Sequence, residues 1–393
     1  MANELETINI GIFGHIDHGK TTLLQKLTGK WTDTHSEELK RGITIKLGYA
    51  DTVIYKDKEY NISKKGTPLR HVSFIDAPGH EMLMATTLSG AALIDAALLV
   101  VAANEGIKPQ TREHLMALQS KRVKNIIVVQ NKIDLVEIKQ ARENYKELKK
   151  FLGEKYKDAP IIPVSAQQEV NIQEIWKAIS ELPIQKQDIN KDPIFLIARS
   201  FDTNKPGTTP DKLSGAVLGG SLKQGKLKVG DVIEIKPGKQ IKKQNETKYI
   251  PIVSKIRSLF NGSNKVPFLT PGGSMSIETE LDMTLGKSDA LAGNLASLPG
   301  ILPYPRDSIK LLYTLFPEVF GISGHTKVDK PKKGETLMLS INTSITGGSI
   351  SETSDKEISV SLKVPAIYFK GDNVGIARSI NGHWRLIGYG EAV

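Results

Sequence analysis

A chain of 393 residues, 39% hydrophobic and 24% charged, is too long for one core and too apolar for a disordered tail, so it reads as two or three globular domains. It contains no cysteine, which excludes disulfides and thiolate metal sites and makes the cytoplasm the expected compartment. The net charge of +10 fits either a lysine-rich soluble surface or a polyanionic partner. Between Ser221 and Phe260 there are ten Lys/Arg against three acids, a concentration that favours the partner. Met1–Glu6 has no basic run before an apolar core and does not read as a signal peptide. Ala91–Ala103, interrupted by Asp95, reads as a buried strand with its approach, not as a membrane span.

In chain order, Ile8–Phe13 is strand-like and leads through a glycine-rich turn into a helix-like stretch, Lys20–Leu27, closed by Gly29. The turn, Gly14-His15-Ile16-Asp17-His18-Gly19-Lys20-Thr21, fits the phosphate-binding pattern G-x-x-x-x-G-K-[ST] in its strand-to-helix setting. Glycines let main-chain N–H groups wrap a β-phosphate. Lys20 neutralises β/γ oxygens, the helix N-terminus adds its dipole, and Thr21 can ligate Mg²⁺. His71–Ile75 is the next short apolar strand, ending in Asp76-Ala77-Pro78-Gly79. A carboxylate there can hold Mg²⁺ through water, and the Gly79 N–H can reach a γ-phosphate.

Further strands follow at Ala96–Ala102, Asn125–Gln130 and Ile161–Ser165. After the second comes Asn131-Lys132-Ile133-Asp134, where a carboxylate can accept from guanine N1–H and the 2-amino group, which adenine does not offer. Two charge-assisted bonds of roughly 1.5–3 kcal/mol each correspond to a preference of about 10²–10⁴-fold for GTP over ATP. Ser165-Ala166 is placed to lend an N–H to guanine O6. Asn171–Leu182 reads as a helix with Ile172, Ile175, Trp176 and Ile179 on one face, Asn171 as N-cap and Pro183 beyond its end. Strands alternating with helices imply a mostly parallel sheet covered on both faces.

From Pro193 onward the pattern changes to short strands broken by Gly, Pro, Asn and Asp. They include Val232–Ile235 before a turn at Pro237-Gly238, then Ile252–Ile256, Thr336–Ile341, Ile358–Val364 and Trp384–Tyr389. Such spacing indicates barrels. The expected fold is an α/β P-loop GTPase domain followed by two β-barrel domains, at about residues 1–190, 191–305 and 306–393.

These motifs resemble the translational GTPases: the phosphate loop, R-G-I-T-I at Arg41–Ile45, D-A-P-G-H at Asp76–His80, N-K-I-D and Ser165-Ala166. The resemblance narrows to the gamma subunit of archaeal and eukaryotic initiation factor 2. Trp31-Thr32-Asp33 through Gly48-Tyr49-Ala50-Asp51, Met84-Ala85-Thr86 and Ser89-Gly90-Ala91 carry it in the first domain. Arg199–Asp202 with Asn204–Gly207, Gly215–Gly220, Lys287–Leu291 and Trp384–Gly390 carry it through both barrels.

That resemblance implies GTP/GDP binding by Asp17, His18, Gly19, Lys20, Thr21, Thr22, Gly79, Asn131, Lys132, Asp134, Ser165 and Ala166. It implies hydrolysis served by His80, which positions water, with Lys20 and Thr44, and with Ile16 and Ile43 as an apolar gate. Mg²⁺ is expected on Thr21, Thr44 and, through water, Asp76. Asp17 reads either as a second magnesium contact or as a loop-stabilising Asx residue.

The implied partners are alpha and beta subunits, the alpha on the first barrel and the beta on the GTPase domain, with methionylated initiator tRNA and the small ribosomal subunit. Tyr49 reads as a strand aromatic or as a contact for the aminoacyl end of the tRNA, where a ring can stack on the terminal base. Lys223, Lys226 and Lys228 are candidate RNA contacts. One departure stands out: where many members carry a zinc knuckle, Thr52–Arg70 has no cysteine, so no zinc is expected. His15 and His18 read as structural. An aminoacyl-tRNA carrier of the selenocysteine-specific or Tu type, the GTPase subunit of a sulfate-activating enzyme, and a nucleotide-sensing scaffold with negligible unaided hydrolysis remain alternatives.

Overall fold

The structure, a computed structural model, describes residues 5–30, 47–78, 83–184, 188–204, 209, 213–243, 246–319 and 326–393. Two compact units are present: Met1–Gln185 with Pro317–Val328 and Ile380–Leu386, and Lys186–Phe316 with Asp329–Ser379 and Ile387–Val393.

The first unit is built on seven strands: β1 (Thr7–Gly14), β2 (Gly48–Lys56), β3 (Tyr60–Asn61), β4 (Thr67–Asp76), β5 (Ala96–Ala102), β6 (Asn125–Asn131) and β7 (Ile161–Pro163). Their order is β3-β2-β4-β1-β5-β6-β7. The strands from β4 to β7 run parallel, while β2 and β3 form an antiparallel edge. Among the described residues five helices accompany them: α1 (Lys20–Thr28), α2 (Met84–Ala91), α3 (Pro109–Ser120), α4 (Ile138–Leu152) and α5 (Ile172–Glu181).

Alternation along the strands divides the apolar side chains between two cores. Ile8, Ile10, Ile12, Leu98 and Val100 pack with Leu23, Leu24 and Leu27 of α1 and Ile172, Ile175 and Ile179 of α5. Phe13, Leu99, Val101 and Val128 pack with Leu115 and Leu118 of α3 and Leu148 and Leu152 of α4. All seven residues of β5 are buried, as a central strand covered on both faces requires. Each fully buried Leu or Ile contributes about 1.5–3 kcal/mol. This sandwich brings Gly14, Asp76 and Asn131 to one edge, because each ends a strand of the same parallel set.

In the second unit, strands β8 (Ile194–Phe201), β9 (Val217–Gln224), β10 (Leu227–Lys228), β11 (Val232–Lys243), β12 (Glu246–Asn261), β13 (Asn264–Val266), β14 (Phe268–Leu269), β15 (Met275–Thr279) and β16 (Leu295–Ser297) build the first barrel. The order β11-β16-β8-β9-β15-β12 closes on itself through β11 against β12, around Phe195, Ile197, Leu218, Ile235, Leu259 and Ile277.

Strands β17 (Arg306–Leu315), β18 (Glu318–Val319), β19 (Thr326–Lys327), β20 (Thr336–Ile341), β21 (Ser344–Thr353), β22 (Glu357–Ala366), β23 (Asn373–Ile380) and β24 (His383–Ala392) complete the chain. The second barrel is closed in the order β17-β22-β21-β20-β23-β24.

One local reading is corrected and another is refined. Pro237-Gly238 does not end a strand but lies in a bulge inside β11, where the register to β12 shifts between Ile235 and Lys239. Gly238 sits at φ +93, and a Cβ there would be 2.0 Å from the Ile250 carbonyl oxygen, so the bulge admits only glycine. Asn171 stands at the N-cap of α5, where its carbonyl accepts the Glu174 N–H at 3.2 Å, but its side chain makes no capping bond; its Nδ2 donates to the Pro163 carbonyl at 2.8 Å and its backbone is left-handed at φ 62.

Candidate nucleotide-binding site

The turn from β1 into α1 can form only because two of its positions lack side chains. A Cβ on Gly14, at φ +148, would lie 2.3 Å from the Val100 carbonyl oxygen, and one on Gly19, at φ +86, 2.4 Å from Asn131 Nδ2. Between them Asp17 is exposed and left-handed at φ 61. Lys20, 8% exposed, sends its ammonium back across the loop to the His15 carbonyl at 2.8 Å. The first N–H groups of α1 have no intrahelical acceptor, so the concave side of the loop offers donors and a cation to an anion.

At the same edge, Thr21 Oγ1 donates to Asp76 Oδ2 at 3.3 Å. Asp76 is fully buried at the end of β4, in register with Ile12 of β1. A hydroxyl beside a buried carboxylate next to a phosphate loop is a hard oxygen donor pair of the kind Mg²⁺ takes, and the residues present therefore fit that ion. Thr22, on the next position of α1, is half-buried.

The residues expected from sequence to recognise the base gather around the end of β6. Asn131 is buried and its amide makes two bonds: Nδ2 donates to the His18 carbonyl at 2.9 Å, and Oδ1 accepts the Ala166 N–H at 3.0 Å. Lys132 is left-handed at φ 61, with its Nζ 3.7 Å from Glu105 Oε1. Asp134 follows on a single 3-10 turn, Ile133–Leu135, with its carboxylate exposed. Ser165 is buried; its Oγ accepts the Gln168 N–H at 3.2 Å, and a backbone bridge to Val170 closes the Ala166 loop. Of the Ser165-Ala166 pair, expected from sequence to lend an N–H to guanine O6, the Ala166 N–H thus donates to Asn131 in this structure.

Two histidines around the loop, His18 and His114, are held in the neutral form by burial. His18 is fully buried, and because a carbonyl only accepts, its Nδ1 donates to the Val100 oxygen at 3.3 Å. Burial, with the nearby Lys20 ammonium, pushes its pKa down to about 3. His114 on α3 was not singled out from sequence, yet its Nδ1 accepts the Gly14 N–H at 2.9 Å. Burial, reinforced by Lys20, His15 and His18, pushes it down to about 3 as well. Gln110, one turn earlier, accepts the Ile16 N–H at 3.4 Å. The one available signal for His114 was a histidine beside Leu115 and Leu118 on the apolar face of a helix, which says nothing about its partner.

Thr44 and Ile43 of the effector segment, with Gly79 and His80, lie outside the described residues. Tyr49 lies on β2 opposite Ile75 and is partly buried. Thr52–Arg70 comprises the end of β2, β3, the start of β4 and the turns between them, with the Ser63 N–H donating to Asn61 Oδ1 in an Asx turn. In the second unit, the candidate RNA lysines differ in state. Lys223 is held by Asp372 at 2.8 Å, Lys226 stands 3.5 Å from the centre of the Phe268 ring, and Lys228 is exposed.

A glycine-cradled phosphate loop, a threonine–aspartate pair and an N-K-I-D turn on one sheet edge, followed by two closed barrels, define a translational GTPase. The Elongation factor Tu GTP binding domain family matches residues 5–184, and the family described as Initiation factor eIF2 gamma, C terminal, matches residues 307–392. Translation initiation factor 2 subunit gamma of Methanococcus vannielii is 49% identical over 406 residues, covering 99% of each chain. That of Pyrococcus abyssi is 50% identical over 398 residues, covering 98% of this chain and 96% of the relative.

Among solved structures, a bacterial selenocysteine-specific elongation factor aligns over 98% of this chain and 58% of its own, with a TM-score of 0.78 and 27% identity. Elongation factor SelB of Methanococcus maripaludis, in complex with the GTP analogue GppNHp, shares the fold with a TM-score of 0.74, 22% identity and 79% of its chain covered. The chain belongs to the translation initiation factor 2 gamma subunit family, the GTPases of translation initiation.

Proposed function

We propose that this GTPase carries methionylated initiator tRNA to the small ribosomal subunit in its GTP form, together with alpha and beta subunits, in the cytoplasm. The observation that carries this reading is identity of about half over essentially the whole chain, barrels included, to gamma subunits of initiation factor 2. The selenocysteine-specific factor, by contrast, is 27% identical. No helix among the described residues is long and apolar enough to cross a membrane.

In this reading Lys20 and the start of α1 hold the phosphates, and Thr21 and Thr44, with Asp76 through water, would hold Mg²⁺, which neutralises charge on the β/γ oxygens when bound. Asp134 reads the guanine edge from its exposed turn, and Lys132 and the Ser165-Ala166 loop flank the base. Thr44 and the Gly79 N–H sense the γ-phosphate, and His80 orients the attacking water. His80→Ala should slow single-turnover hydrolysis by about 10²–10⁴-fold with little change in GTP affinity. An unchanged rate under conditions that activate the wild type removes His80 from the mechanism.

Tyr49 lies on the strand that leaves the effector segment, so ordering Thr44 helps place it for the aminoacyl end. A nucleotide shifts tRNA affinity only by its difference in contacts between two states, of order 1–3 kcal/mol. The test is binding of methionylated initiator tRNA by the complex with alpha and beta subunits, in GTP and in GDP. Tighter binding in GTP, weakened by Tyr49→Ala, is expected. Equal affinity in both nucleotides with Tyr49→Ala silent rejects the carrier reading.

A further inference from the structure

The phosphate loop has a back as well as a concave front, and the back is bonded to α3. Gly14, the first residue of the loop, directs its N–H to His114 Nδ1 at 2.9 Å, and Ile16, two residues on, directs its N–H to Gln110 Oε1 at 3.4 Å. Gln110 and His114 stand four apart on one helix, hence on one face. Their acceptors therefore engage alternate N–H groups of the loop, so these two point to protein. The donors from Gly19 onward, at the start of α1, are left for an anion.

His114 is 2% exposed and its ring meets Phe13 edge-on, with centroids 5.9 Å apart. Acceptance at Nδ1 places the ring proton on Nε2. A protonated ring would set two donors, Nδ1–H and the Gly14 N–H, against each other. Burial and the nearby Lys20 keep the neutral form in place. On its other side Gly14 abuts the Val100 carbonyl too closely for any Cβ, so β5 and His114 together fix where the loop begins.

We propose that His114, supported by Gln110, is a positioning residue that holds the start of the phosphate loop in its anion-binding curve and so sets nucleotide affinity without touching the nucleotide. This rests on the reading of Gly14–Thr21 as the phosphate site.

The test is GDP and GTP binding by the full chain carrying His114→Asn, His114→Gln or His114→Phe, with thermal unfolding of each. Asparagine keeps an acceptor near Nδ1, glutamine moves it toward Nε2, and phenylalanine keeps the ring and removes the acceptor. Taking a buried acceptor from beneath one N–H corresponds to a rise of about tenfold in Kd for both nucleotides. That rise is expected in the Phe and Gln variants, with the Asn variant within about threefold of wild type. Because Asn is the smallest of the three, a space-filling role predicts the reverse order, and finding it overturns the proposal, as does an unchanged Kd in His114→Phe. Lys20→Ala is the separate arm. Undiminished affinity there rejects the phosphate-site reading itself, whereas weakened binding there with His114→Phe silent rejects only the positioning role.

Discussion

Asn131 Nδ2 donates to the main-chain carbonyl of His18 at 2.9 Å, joining the end of β6 to the phosphate loop across 113 positions of sequence. The other end of the same amide takes the Ala166 N–H at 3.0 Å. One buried side chain therefore ties the candidate phosphate loop to the N-K-I-D turn and the Ser165-Ala166 loop. Neither bond is visible in an N-K-I-D motif, which identifies Asn131 but not what its amide holds.

Asn131→Ala should therefore act on stability as well as on binding. It leaves the His18 carbonyl and the Ala166 N–H buried without this partner, at about 1–3 kcal/mol each. A stability loss of roughly 2–5 kcal/mol in urea unfolding is expected, with GTP and GDP weakened to a similar extent. A variant of wild-type stability that loses only guanine specificity would show that Asn131 contacts the base and does not act as a clamp.

Asp134 should behave in the opposite way. Its carboxylate is exposed on the Ile133–Leu135 turn, so Asp134→Asn costs the fold little. The amide loses the pair of bonds to guanine and can donate to the 2-oxo group of xanthine. GTP affinity should fall by about 10²-fold or more, with XTP bound more tightly than GTP. Normal GTP binding with no gain for XTP would remove Asp134 from base recognition.

The buried histidines set an acid limit. His18 and His114 have native pKa values pushed down to about 3 from an ordinary 6.5. Between those values the unfolded chain binds protons that the native chain does not, so stability rises with pH. It is fully present above about pH 6.5 and is lost progressively as pH falls toward 3. The urea midpoint should drop steadily from pH 7 to pH 4, and replacing His18 with asparagine should flatten that slope. A midpoint constant over this range would show that these rings are not held neutral.

The lysines of the first barrel should not be equivalent toward RNA. Removing one lysine–phosphate pair lowers the slope of log affinity against log salt by about 0.7–0.9. Lys228 is exposed, whereas Lys223 is held by Asp372 at 2.8 Å. Lys228→Ala should reduce the slope by nearly the full amount for one pair, and Lys223→Ala by distinctly less. Equal slopes in both variants and in wild type would place the tRNA elsewhere.

Much of the candidate nucleotide site could be proposed from the sequence because its chemistry is local. A strand, two glycines and Lys20-Thr21 make an anion cradle within one turn of chain. Asp76, Asn131 and Asp134 each follow an apolar strand that announces where its side chain emerges. The strand at Thr336–Ile341 was readable for the same reason, since turn residues bound it on both sides.

What the tertiary structure decided is pairing between distant segments. It set the Gly238 bulge, where the close approach of the Ile250 backbone leaves no room for a side chain. The Asn171 amide was turned to Pro163 and away from α5, and Lys223 to Asp372. His114 was placed beneath Gly14, 100 residues away in sequence. Periodicity records which face of an element is apolar, but a hydrogen bond depends on which atoms two elements present once their faces have packed.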